Sequence, residues 1–222
     1  MNTLEILNVK KSFKQQVILD DFSLTCATGD IIGIFGRNGA GKSTLLKLIF
    51  GILKADAIDI RINTKYFNQK SIIPSKKIGY LPQHTFLPPE KKVRDIIAMF
   101  FADGKKQDKI FYAPKVSSFE TVKAGALSQG QLRYLEILII GNLDHPFILL
   151  DEPFSMIEPI YKSFIKAFLT ELKHKKGIIL TDHYYQDVLE ITEKNFIIKN
   201  AKKFEIKSKD DLVEHNYLKS TD

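Results

Sequence analysis

The 222-residue chain carries 44% hydrophobic and 27% charged residues, a balance that excludes collagenous, low-complexity and wholly disordered chains. Its net charge of +7 suits nucleic acid, an acidic membrane surface or a polyphosphate, and the total alone does not choose among them. No apolar run approaches the roughly 18 to 20 residues that cross a bilayer, the N-terminus lacks a signal-peptide core and the lone Cys26 excludes an intramolecular disulfide, so a single cytosolic domain is expected.

Short alternating apolar runs over residues 3–27, split by a charged turn at 10–16, predict an antiparallel sheet with Cys26 as a small buried thiol on a strand. Residues 30–35 form a continuous apolar run that reads as a buried parallel strand. A helix over 44–50 follows, closed by Gly51 as its C-cap, and more short strands occupy 58–81. Val93, Ile96, Ile97, Phe100 and Phe101 share one helical face, and residues 103–109 read as a loop. Beyond 128, helices at 131–140, 160–175 and 184–191 alternate with strands at 147–150, 178–181 and 196–199, the pattern of βαβ units. A charged tail from 202 ends in a short helix at 210–218.

Between the strand at 30–35 and the helix after it, Gly36-Arg37-Asn38-Gly39-Ala40-Gly41-Lys42-Ser43-Thr44 satisfies G-x-x-x-x-G-K-[ST] in the context that this phosphate-binding motif requires. The glycines let the backbone wrap a phosphate and turn successive N–H groups inward, while the helix presents its positive end to the anion. Lys42 suits the β- and γ-phosphates, and the Ser43 hydroxyl suits Mg²⁺. The loop points to nucleotide binding without fixing the reaction, because kinases, GTPases and motor ATPases share it. Further on, Phe147-Ile148-Leu149-Leu150-Asp151-Glu152-Pro153 is an apolar strand delivering two carboxylates at its C-terminal end, where ligands sit in parallel α/β sheets. Asp151 is expected to bind Mg²⁺ through water, and Glu152 to polarise an attacking water.

These motifs, with several others in the same order, resemble those of the ATP-binding cassette (ABC) ATPases over essentially the whole chain. Residues 36–44 match the Walker A motif and 147–152 the Walker B motif. Leu127-Ser128-Gln129-Gly130-Gln131 is similar to the signature Leu-Ser-Gly-Gly-Gln, Gln83 matches the Q-loop and His183, in Leu-Thr-Asp-His, matches the switch histidine. Phe13, with Val17 beside it, falls where the family places an aromatic that stacks on adenine.

The resemblance implies an α/β fold: a P-loop NTPase core with a mostly parallel sheet, an N-terminal antiparallel β subdomain and a short helical subdomain over about 84–142, all in one domain spanning 1–222. It implies Mg²⁺-dependent ATP hydrolysis, with Gln83 reaching the metal and the attacking water and His183 touching the γ-phosphate. Ser128, Gln129, Gly130 and Gln131 would bind the ATP held by an opposite subunit, in a homodimer or pseudo-symmetric dimer. Separately encoded transmembrane subunits would hold the chain on the inner face of the cell membrane, and no nucleic acid is expected. Asp151-Glu152-Pro153-Phe154 and Leu180-Thr181-Asp182-His183 look most like the lipopolysaccharide-export and branched-chain amino-acid transporter ATPases. The alternative within the family is a soluble ATPase of iron–sulfur cluster assembly.

The sequence departs from the family pattern in two places: Gln129 replaces the first signature glycine, and Glu158 stands where an Asp is usual. The charge is uneven, +6 over residues 1–82, +3 over 83–127 and −2 over 128–222, so the carboxylate-rich half carries none of the excess.

Overall fold

The computed structural model describes residues 1–219. Alternation of apolar and polar side chains makes a long hairpin of the first strands, β1 (Thr3–Phe13) and β2 (Gln16–Ala27), with buried Leu4 opposite Cys26 and Ile6 opposite Leu24. β3 (Ile31–Phe35) is buried along its whole length. α1 (Lys42–Phe50) stops at Gly51, whose φ of 89° is a left-handed cap that glycine adopts without strain. β4 (Ala57–Ile62) and β5 (Lys65–Phe67) return to the hairpin and complete an antiparallel sheet of order β2-β1-β4-β5. The short α2 (Ile72–Ser75) leads to β6 (Ile78–Leu81).

Three helices follow, α3 (Val93–Phe100), α4 (Gly104–Phe111) and α5 (Gln129–Asn142). The segment 103–109 is therefore not a loop. Asp103 is an N-cap whose carboxylate accepts from the Lys105 N–H at 3.0 Å, and the helix it starts buries Ile110. α5 opens on a capping box in which the Ser128 hydroxyl accepts from the Gln131 N–H and the Gln131 side chain accepts from the Ser128 N–H.

The expected alternation comes next, as β7 (Phe147–Asp151), α6 (Pro159–Leu172), β8 (Gly177–Thr181), α7 (Tyr185–Ile191) and β9 (Lys194–Lys199). The segment from 202 is tied into the sheet: β10 (Lys202–Ile206) pairs antiparallel with β9 across a turn at Asn200 and Ala201, both at positive φ. A final helix, α8 (Lys209–Glu214), is shorter than the 210–218 expected.

The second sheet has the order β10-β9-β3-β8-β7-β6, with every pairing but the β10–β9 one parallel. Its strands send alternate residues to two cores. Ile32, Ile34, Leu149 and Ile179 pack with α1 and the antiparallel sheet, whereas Ile31, Phe35, Ile148, Leu150 and Leu180 pack with the helices of the opposite face. Burial on both faces explains the unbroken apolar runs. The strand order also sets β3, β8, β7 and β6 side by side, so the segments after them open along one sheet edge, where ligands bind in parallel α/β folds. Among the described residues, no helix is long and apolar enough to cross a membrane.

Candidate functional site

The loop after β3 wraps a cavity of about 550 Å³ lined by Ile18, residues 37–44, Gln83, Glu152 and His183. Gly39 and Gly41 have φ of 80° and 103°, and a Cβ on Gly41 would lie 2.7 Å from the Ile18 side chain, so only glycine fits this turn into α1. Lys42, buried, folds its ammonium back to donate to the Gly36 carbonyl at 2.6 Å. Burial pushes its pKa below the ordinary lysine value even though Glu152, Asp151 and Asp182 pull the other way.

Asp151, 1% exposed, sits at the end of β7 and accepts three hydroxyl hydrogen bonds. Ser43 and Thr181 donate to its Oδ1 at 2.9 Å each, and Tyr80 donates to its Oδ2 at 3.3 Å. Burial, reinforced by the Asp151 charge, raises the Tyr80 pKa and keeps the phenol a donor. Glu152 turns back at a φ of 55°, and its carboxylate bridges two neighbouring loops. Its Oε2 accepts from Gln83 Nε2 at 3.0 Å, and its Oε1 lies 3.1 Å from His183 Nε2. Behind them Asp182, fully buried, accepts from the backbone N–H groups of Phe154, His183 and Tyr184 and from the Ser155 hydroxyl. Burial raises the Asp182 pKa against the opposing pull of those backbone bonds.

Lys42, Ser43, Gln83, Asp151, Glu152 and His183 thus meet in one place, from the ends of four adjacent strands. Phe13 and Val17 do not line the cavity. Both are exposed on the β1–β2 hairpin, Phe13 under the Lys11 ammonium at 5.0 Å, and it is Ile18 that reaches the cavity wall. The signature residues also lie outside it: Gln129 lines a second cleft of about 330 Å³ that shares Gln83 and Glu152. Ser128, Gly130 and Gln131 belong to the opening turn of α5, and a Cβ on Gly130 would meet the Glu158 carboxylate at 2.0 Å. Glu158, one departure from the family pattern, therefore lies against the residue that follows Gln129, the other.

Sequence reasoning did not single out Tyr80, Thr181, Asp182, Arg133 or Glu136. Thr181 had a readable signal, since it is the polar residue that ends an apolar strand run as Asp151 does, and the structure sets the two in register. The others gave none, because tyrosine and aspartate near strand ends and charges within a helix are common.

The oxygen donors of Ser43, Asp151 and Gln83 fit a hard cation such as Mg²⁺, which takes few protein ligands and completes its shell with water and phosphate oxygens. No cluster of three or more His, Cys, Asp or Glu among the described residues offers an all-protein metal cage.

Residues 19–155 match the family model described as ABC transporter. The chain is 30% identical over 217 residues to the lipopolysaccharide export system ATP-binding protein of Haemophilus influenzae, covering 91% of this chain and 89% of that one. It is 27% identical to the Nod factor export ATP-binding protein I of a Rhizobium species, covering 96% of this chain and 73% of the relative. Among solved structures, a nucleotide-free ATP-binding cassette from an ABC transporter superposes with a TM-score of 0.83 at 24% identity, over 99% of this chain and 96% of the other. With its nucleotide loop, paired carboxylates and cassette fold, the chain belongs to the ABC transporter family as an ATP-binding cassette, an ATPase whose turnover powers transport.

Proposed function

We propose that two cassettes close head to tail around ATP and that Glu152 serves as the general base for hydrolysis. The observation that carries this reading is the bridge of Glu152 to both Gln83 and His183 at the rim of the phosphate-loop cavity. The Glu152 carboxylate accepts a proton from the attacking water, Gln83 orients that water, and His183 holds the γ-phosphate side of the cavity. Lys42 and the N–H groups of the loop take up the phosphate charge, positioning and neutralisation being the main contributions in phosphoryl transfer. Ser43 and Asp151 would hold Mg²⁺, which when bound neutralises charge on the β- and γ-phosphates. The signature turn from Ser128 to Gln131 lies outside the cavity of its own chain, which supports a role toward the nucleotide of a second cassette.

Separately encoded transmembrane subunits would carry the cargo and hold this chain at the membrane's inner face, and relatives named for lipopolysaccharide and Nod factor export support export as the direction. The chain would act as a single unit, with the helical segment from 84 to 142 facing those subunits.

In a Glu152→Gln variant, turnover should fall by about 10²- to 10⁴-fold, the usual contribution of a general base, while ATP binding is retained. Hydrolysis at the parent rate would refute the base assignment. Purification from detergent-solubilised membranes should bring down a multispanning partner, and a stable soluble complex without one would refute the transport arrangement.

A further inference from the structure

We propose that the buried ion pair of Arg133 and Glu136 is a positioning device that sets Gln83 and Glu152 against one another for the hydrolytic step. The inference rests on the reading of Glu152 as the base. The two residues lie one turn apart on α5, their charged groups 3.2 Å from each other, in a stretch where Tyr134, Leu135 and residues 137–139 are buried apolar or aromatic side chains. Arg133 is 7% exposed and Glu136 1%. Burying such a pair carries a large desolvation cost, and apolar residues of similar volume commonly serve stability as well or better. Stability alone therefore gives no reason for the pair.

Its remaining hydrogen bonds give one. The Arg133 guanidinium donates to the Pro82 carbonyl at 2.7 Å, to the Asp151 carbonyl, and to the Glu152 carbonyl at 3.3 Å. Glu136 Oε1 accepts from the Phe86 N–H at 3.1 Å. The segment carrying Gln83 is thus pinned on both sides, at Pro82 and at Phe86, by the same pair that grips the backbone of Glu152. Between these anchors Gln83 meets the Glu152 carboxylate at 3.0 Å. Glu152 also holds a φ of 55°, a strained conformation for a non-glycine residue that persists only where its surroundings over-determine it. A planar fork with several fixed donors can do this, and a lysine ammonium, a single point of charge, cannot.

Two variants test the proposal, each made in the parent and in the Glu152→Gln background. Arg133→Lys keeps the buried charges balanced. If it fails to fold, the double variant Arg133→Met/Glu136→Leu removes both charges together and leaves neither stranded. In the parent background kcat should fall roughly 10- to 100-fold, as expected when reacting groups are misplaced by about an ångström, with equilibrium ATP affinity changed by less than about threefold. In the Glu152→Gln background the same variant should cause no further loss, because there is no base left to misplace. A folded variant with parent kcat would overturn the proposal, as would an undiminished loss in the Glu152→Gln background. Parent turnover by Glu152→Gln alone would instead overturn the base assignment.

Discussion

Replacing Lys42 with methionine removes one charge from the phosphate loop while keeping an unbranched side chain of similar length. The ammonium lies at the floor of the loop and donates to the Gly36 carbonyl. A charge-assisted hydrogen bond contributes about 1.5–3 kcal/mol, so ATP affinity should fall roughly 10- to 150-fold. Stability should respond differently. Burial is the largest influence on Lys42 and holds its pKa below 10.5 in the folded protein. Between that lowered value and 10.5 the unfolded chain binds more protons than the native one, so the parent gains stability as pH rises through this window. The methionine variant lacks that slope. Equilibrium titration with a fluorescent ATP analogue measures the first effect, and urea denaturation near pH 7 and near pH 10 the second. Unchanged affinity, or identical pH dependence in the two proteins, would refute the reasoning.

Three further substitutions have definite outcomes. Lys176, which donates to the Leu143 and His145 carbonyls far from the nucleotide cavity, has its pKa lowered by burial to about 8. Lys176→Met should therefore remove a rise in stability between about pH 8 and 10.5, while ATP affinity stays at the parent value. Gly41→Ala, at a φ of 103° and with its new methyl against Ile18, should destabilise the protein by about 1–3 kcal/mol and weaken ATP binding; a melting curve and affinity matching the parent would count against the steric account. Asp182→Ala strands the buried Phe154 N–H and frees the loop that carries His183, so denaturation should report a loss of about 1–3 kcal/mol and turnover should drop with it.

What could be read in advance was local. The phosphate loop declares itself within nine consecutive residues, and the strands around it are long apolar runs because both their faces are covered. The contacts that complete the site join distant positions: Ser43 to Asp151 and Gln83 to Glu152 are pairings that only the strand order creates. Helix α4 escaped notice because its lysines conceal the capping role of Asp103, and β10 because its hairpin turns at Asn200-Ala201 with no glycine to mark it. The adenine-stacking role of Phe13 and Val17 rests on family position alone, and the structure has both exposed on the hairpin with their neighbour Ile18 facing the loop. Arg133 and Glu136 give no signal in advance, since nothing in their one-turn spacing distinguishes a buried clamp from a surface ion pair.

The placement of Gln83 and Glu152 after neighbouring strands has a bearing on how this chain could be rebuilt. Their separation is dictated by the spacing between two paired strands, about 4.8 Å, and not by the length of the chain that joins them. Only the stretch from 87 to 127 is therefore open to exchange for a graft of different length without altering that separation, because the anchors at Pro82 and Phe86, the opening of α5 and all of β7 stay in place.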